Sequence, residues 1–205
     1  MNRKIIFFFL LTLVGFFLVR AAYFMVCNAT YTPQTGDVIF HVSESNQSAA
    51  IKLGTLSRYS HCGIIVLENG KPYVIEAENG VEKTPLKTWL RRGKMLHHYR
   101  VMRLKNEQPL SVPYTLGGKY DRYFQFNNGK FYCSELVWEI YKKNGITLCE
   151  PQPLGDYHFL NIPEVQKHIK SRGLTLHQTV VPPSDLVKSN SLRTVSYGYL
   201  TPFWL

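Results

Sequence analysis

A thiol at the mouth of a helix and an imidazole at the head of a strand can together break a carbonyl bond. Cys133 lies in Gly129-Lys130-Phe131-Tyr132-Cys133-Ser134-Glu135-Leu136-Val137-Trp138, where an irregular polar stretch turns into an amphipathic helix. His61 lies far upstream in Tyr59-Ser60-His61-Cys62-Gly63-Ile64-Ile65-Val66, at the start of an apolar strand. Cysteine attacks as the thiolate. A helix N-terminus favours that anion by roughly 0.3–1 kcal/mol, and a nearby imidazolium lowers the thiol pKa further. The Cys133 N–H can also face a developing oxyanion, and His61 could act as the general base. Neither residue is decisive alone. A cysteine between Phe131 and Leu136 is also a good small buried apolar residue, and a single His at a strand start is commonly just polar.

The strand after His61 narrows the choice. Glu68-Asn69-Gly70-Lys71 predicts a type I′ hairpin, since Asn-Gly supplies two positive φ angles. With Glu68 opposite Lys71, His61 faces Glu78, and Glu76 is its diagonal neighbour on the same sheet face. Diagonal neighbours lie about 7–8 Å apart at Cα, so either carboxylate could hold the imidazole. A one-residue slip would put both on the wrong face. Cys62 points away from His61 along the strand, which argues against a metal site shared by the two. The four cysteines, Cys27, Cys62, Cys133 and Cys149, contain no C-x-x-C pair, so no zinc or thioredoxin-type site is expected. An oxidising compartment would permit a disulfide such as Cys62 to Cys149, whereas one through Cys133 would defeat its chemistry. His97 and His98 read as loop or strand-edge residues with no metal role.

The remaining chain must position these groups. Tyr31 to Asp37 is turn chemistry, followed by a β-rich run from Val38 to Val42. Ser43 to Ser57 is polar and weakly helical. Pro72 to Glu78 is the partner strand of the hairpin, and Val81 to Pro85 is a further extended piece. Leu86 to Leu90 places Leu86, Trp89 and Leu90 at helical spacing. His98 to Leu104 alternates as a strand, and Asn106 to Gly118 is loop-like. Glu135 to Asn144 is the clearest helix, ended by Gly145, with Leu136, Val137, Ile140 and Tyr141 as its buried stripe. Ile162 to Arg172 is a second helix, with Pro163 early and Gly173 beyond its end. The aromatic tail from Tyr197 to Leu205 is expected to dock as an edge strand.

The chain has 205 residues, a formal charge of +10 and 45% hydrophobic residues, including 13 Tyr and 12 Phe. A basic protein favours anionic neighbours such as lipid or cell-wall polymer. Its lysines and arginines are scattered, apart from Leu90-Arg91-Arg92-Gly93-Lys94, without the interleaved aromatics of a base-stacking surface, so no nucleic-acid partner is expected. Residues 1–30 read as a signal peptide or N-terminal signal anchor, with Arg3 and Lys4 ahead of an apolar run from Ile5 to Val19. That run suits a signal core better than a full span of roughly 20 residues. Cys27 lacks the small preceding residue that lipidation would want. Residues 31–205 are then one domain in a periplasmic or otherwise extracytoplasmic compartment, with membrane association through the N-terminal segment as an option.

Several segments in one order, "GDVIF", "YSHCGIIV", "YVIEAENGVEKTPLKTW", "KYDRYF", "YCSELVW" and "VVPPSDL", resemble the YiiX/YebB-like cysteine hydrolases of the circularly permuted, papain-like NlpC-type superfamily. The His precedes the Cys, the reverse of the papain order. The resemblance spans about Thr35 to Leu186. It implies Cys133 as nucleophile, His61 as base and Glu76, rather than Glu78, as the orienting third residue. It also places Tyr120 near the oxyanion. The expected fold is α+β, with an antiparallel, partly barrel-like sheet packed against helices that include the nucleophile helix. The resemblance implies an amide or ester hydrolase without cofactor, acting on a lipid or acyl compound or on a peptidoglycan peptide. The lipid class is favoured by an H-x-G-I…V-I-E arrangement shared with lecithin:retinol acyltransferase-like enzymes. The rival reading is a non-catalytic module of the envelope that binds a fatty acyl chain or wall peptide. One departure stands out: Pro109 and Pro113 interrupt a shortened stretch, and Gly118-Lys119-Tyr120 lacks the family's proline, which alters one rim of the groove.

Overall fold

The fold is that of a computed structural model, which describes residues 6–16, 18–19, 31–94, 98–113 and 117–199. The strands are β1 (Val38–His41), β2 (His61–Glu68), β3 (Lys71–Ala77), β4 (Val81–Pro85), β5 (His98–Leu104), β6 (Lys119–Tyr120), β7 (Lys130–Phe131), β8 (Gln152–Pro153), β9 (Thr179–Val180) and β10 (Leu192–Tyr199). The helices are α1 (Ser48–Gly54), α2 (Leu86–Arg91), α3 (Cys133–Lys143), α4 (Pro163–Arg172) and α5 (Pro183–Leu186).

Six strands form one antiparallel sheet in the order β10-β5-β1-β2-β3-β4. The expected barrel-like character is not found: among the described residues the sheet is open, with β10 and β4 as its two edges. The last strand pairs with β5, at the far side from β4. The β4 edge is instead met by a loop, through a Val81 N–H to Gly118 C=O hydrogen bond of 3.0 Å. The chain's final strand thus begins at Leu192, earlier than the expected Tyr197, and residues 200–205 lie outside the described ones.

The β2–β3 hairpin has the expected register, from Glu68 opposite Lys71 to Ile64 opposite Ile75. Asn69 and Gly70 both take positive φ, 51° and 74°, as a type I′ turn requires. Gly63 is needed for another reason. A Cβ there would lie 2.4 Å from Val74 Cγ1 and 2.9 Å from the Ile75 carbonyl. Only a glycine lets β3 close against β2 at the point where Glu76 must approach His61.

Alternation along β2 separates two cores. Cys62, Ile64 and Val66 face α3, where they pack against Leu136, Val137, Ile140 and Tyr141. Ile65 faces the other way, into a smaller cluster with Ile39, Val74, Val101 and Trp89 of α2. All four residues of the expected α3 stripe are buried, and each side chain of this size contributes about 1.5–3 kcal/mol when removed from water. Gly145, in the left-handed region at φ 75°, ends α3, and Gly173, at φ 61°, ends α4.

Asp37 of the "GDVIF" segment clamps the sheet. It accepts two bonds from Arg103 of β5, at 2.7 and 2.9 Å, and one each from the Tyr31 hydroxyl and the Gln34 N–H. Its role is structural. At the N-terminus, residues 6–16 are helical with Phe7, Phe8 and Phe9 exposed. Among the described residues no helix is long and apolar enough to cross a membrane. The expectations for residues 20–30, including Cys27, lie outside the described residues.

Candidate active site

Cys133 is the first residue of α3, and Tyr132 is its N-cap in an extended conformation. Two interactions fix this helix start. The Tyr132 hydroxyl accepts the Val181 N–H at 2.9 Å, tying the "VVPPSDL" segment to the nucleophile. Asp121, fully buried, accepts from the Tyr123 and Gln125 N–H groups and from Asn128, knitting the loop that leads into β7. The Cys133 N–H is one of the four that a helix leaves without an internal partner.

His61 opens β2, and its ring is in hydrogen-bonding contact with the Cys133 thiol. Nε2 is taken by Glu76 Oε2 at 2.7 Å, so Nδ1 is left to face the sulfur. Burial alone would pull the His61 pKa down. The Cys133 charge and the Glu76 carboxylate overcome it and push the imidazole up to about 10. The Cys133 thiol moves the opposite way, well below the usual thiol range. A hydrogen bond from the Cys62 side chain is the largest cause, burial opposes it, and the His61 charge adds to it. Both shifts favour the thiolate–imidazolium form of the pair.

Glu76 is 1% exposed and saturated. Oε2 accepts from His61 and from Trp89 Nε1 at 2.7 Å, and Oε1 from the Thr84 hydroxyl at 2.8 Å and Arg92 Nη1 at 3.1 Å. Burial would raise its pKa, but these donors hold it below the ordinary carboxylate value. Of the two carboxylates left open by hairpin geometry, the structure brings Glu76 to His61. Glu78 is half-buried, 3.6 Å from Arg92, and its pKa is raised, chiefly by burial.

Tyr120 sits beside the sulfur in the wall of the same cavity. Its hydroxyl accepts from Gln47 Nε2 at 2.9 Å, which leaves its own proton free to be donated. Burial and the Cys133 charge push its pKa up to about 12, so it stays protonated.

Four site features escape a reading of the sequence. Trp89 looks like an ordinary apolar helix residue, yet it donates to Glu76 and stacks near His61, with ring centroids 5.8 Å apart. Arg92 looks like one more charge in the short basic run Leu90-Arg91-Arg92-Gly93-Lys94, yet it donates to Glu76. His41, opposite His61 on β1, is buried and stacked on Trp89 at 3.8 Å, with both ring nitrogens unpaired. Burial, and then the His61 charge, keep it neutral. Cys62 does face away from His61 across the sheet, but its thiol reaches Cys133 from the other side. The three described cysteines, Cys62, Cys133 and Cys149, are all free.

The cavity runs from Cys133 between α1 and α4, with an accessible volume of about 90 Å³. Ala50, Ile51 and Gly54 of α1, Val165 and Ile169 of α4, and Phe124, Tyr157 and Leu160 line it, and its wall is almost wholly apolar.

The family described as permuted papain-like amidase enzymes, YaeF/YiiX, C92 family, matches residues 32–196. The chain is 39% identical over 178 residues to the uncharacterized protein YiiX of Escherichia coli (strain K12), covering 81% of this chain and 87% of YiiX. It is also similar to a crystal structure described as the metalloprotein YiiX from Escherichia coli O157:H7. That match has a TM-score of 0.74 and 36% identity, over 82% of this chain and 99% of the other. The order His61 then Cys133 is the permuted one, and the chain belongs to this family of permuted papain-like amidases, of cysteine-hydrolase type.

Proposed function

We propose that the protein is an exported thiol hydrolase that cleaves an amide or ester through an acyl-thioester on Cys133. The observation that carries this reading is the Cys133 thiol in contact with an imidazole whose other nitrogen is held by a buried carboxylate. The thiolate attacks the carbonyl carbon. The oxyanion develops beside the Cys133 N–H and the Tyr120 hydroxyl. The His61 imidazolium gives its proton to the leaving group, then takes one from water as the thioester is hydrolysed. Glu76 fixes the ring throughout.

Of the two substrate classes, an acyl or lipid compound is supported better than a wall peptide. A peptide needs partners for its own N–H and C=O groups, whereas the wall of this cavity offers almost only carbon. Export is supported by the charged N-terminus and the apolar run after it, and the exposed phenylalanines at residues 7–9 would suit a lipid surface. The YiiX crystal structure is described as that of a metalloprotein. Here the carboxylates that converge, Glu76, Glu78 and Glu82, all lie within 3.6 Å of Arg92 Nη1. A guanidinium sits where a cation would, so these residues do not fit a resident metal.

The test has two parts. Purified protein is treated with a thiol reagent at mildly acidic pH. Cys133 should label rapidly and His61→Ala should abolish the advantage; labelling no faster than Cys149 would instead mark a binding module. Hydrolysis of acyl amides or esters is then compared across chain lengths in wild type and Ile169→Trp. Filling the cavity should cost long-chain substrates about tenfold or more in kcat/KM, given about 0.8 kcal/mol per buried methylene, and should spare short ones. A uniform loss would argue against the cavity as the acyl site.

A further inference from the structure

The catalytic scheme leaves one reactive-type side chain unused, the Cys62 thiol. It is wholly buried on β2, adjacent in sequence to the base and in side-chain contact with the nucleophile across the sheet–helix interface. Both sulfurs are free thiols. We propose that Cys62 is the resolving partner of Cys133, so that oxidation of the nucleophile by a peroxide ends in a Cys62–Cys133 disulfide. This rests on the reading of Cys133 as a reactive thiolate.

The chemistry closes without a further reactant. The Cys133 thiolate attacks one oxygen of hydrogen peroxide, the O–O bond breaks, and with a proton the products are a Cys133 sulfenic acid and water. The Cys62 sulfur then attacks the sulfenic sulfur. The S–O bond breaks, and the departing hydroxide leaves as water with the Cys62 proton. Two thiols have lost two electrons to one peroxide.

Accessibility fixes the order of these steps. Cys133 opens on the cavity, whereas Cys62 has no exposed surface, so peroxide meets Cys133 first. Burial also pushes the Cys62 thiol well above the usual range, so the protonated thiol is a poor nucleophile toward peroxide itself. The two side chains meet in one core cluster, and a disulfide between them requires Cα atoms about 4.4–6.8 Å apart and a sulfur–sulfur bond of about 2.05 Å. Cys149 differs in where it sits. It lies in the wall of a separate depression with Leu148 and Glu150, and its pKa is pushed up to about 12, mainly by burial.

The experiment treats the full-length wild-type protein and Cys62→Ser, which keeps a hydroxyl donor beside the sulfur, with hydrogen peroxide. Free thiols are then blocked, and intact mass, cross-linked peptides and reductant-recoverable Cys133 labelling are measured. Wild type should lose two hydrogens, give a Cys62–Cys133 peptide and recover its labelling on reduction. Cys62→Ser should gain first one and then more oxygens on Cys133 and recover at least about fivefold less labelling. The proposal is overturned if wild type climbs the same oxidation ladder as the variant, or if the cross-link joins Cys133 to Cys27 or Cys149. Wild-type labelling before oxidation separates the two readings. Rapid acid-pH labelling without a cross-link sinks only the resolving role, and its absence sinks the nucleophile and this proposal together. A Cys62→Ala variant with native circular dichroism guards against misfolding as the cause of any difference.

Discussion

Two glutamates in this molecule are buried to the same degree, each 1% exposed, and end in opposite states. Glu76, at the end of the sheet, collects four donors from β2, β4 and the α2 region and is held ionised. Glu135, in the first turn of α3, has a single long contact of 3.4 Å from the Tyr132 N–H. Burial therefore pushes its pKa up to about 8, opposed only by that contact. Burial alone does not decide whether a carboxylate is charged; the number of donors aimed at it does. The charged one is the one in contact with the imidazole.

The comparison can be broken first at Glu76. Glu76→Ala leaves His61, Trp89 and Thr84 donors buried without an acceptor, so unfolding in urea should show a loss of about 3–5 kcal/mol. Acid-pH labelling of Cys133 should also fall, though less than in His61→Ala, because Glu76 orients the ring and does not touch the carbonyl. Equal losses would contradict that division of roles. Because its pKa is depressed on folding, Glu76 contributes stability above its unfolded pKa, and this is lost as pH falls through the folded value.

A single donor is a smaller test. Trp89→Phe keeps the ring over His61 and removes one N–H from a charged acceptor. That should cost about 1.5–3 kcal/mol in the same unfolding measurement and leave Glu76 ionised on its three remaining donors. A pH–labelling profile unchanged in shape would support this, and one shifted as far as in Glu76→Ala would contradict it.

The smallest change is expected at Glu135, with the opposite sign. A folded pKa of about 8 against an ordinary 4.5 means that the folded state favours the protonated form. Stability is therefore full below about 4.5, declines between the two values and is level above 8. Glu135→Gln is neutral throughout, so its melting temperature should match wild type in acid and exceed it increasingly toward pH 8. A constant offset would show that the carboxyl does not titrate there.

Much of this was readable in advance because it rests on local rules. Asn69-Gly70 specifies the turn, the turn specifies the register, and the register limits the third residue to Glu76 or Glu78. The α3 stripe follows from helical spacing. Hairpin geometry could not choose between the two carboxylates, because the choice depends on Gly63 drawing β3 in and on Thr84, Trp89 and Arg92 arriving from segments further along. The Cys62 contact was hidden for a related reason. Alternation shows which face a strand residue takes, but not which helix end covers that face. The open sheet was missed because closure depends on which strand the last segment joins, and β10 chose β5.

That choice bears on how the protein is made. A nascent chain that has emerged as far as α3 already holds Cys133, His61 and Glu76. Yet the segment that anchors Tyr132, and the strand that completes the sheet beside β5, are still to be synthesised. The nucleophile is therefore expected to be assembled only after synthesis has passed β10. Truncation shortly before Val181 should give a chain with every reactive group and no activated thiol.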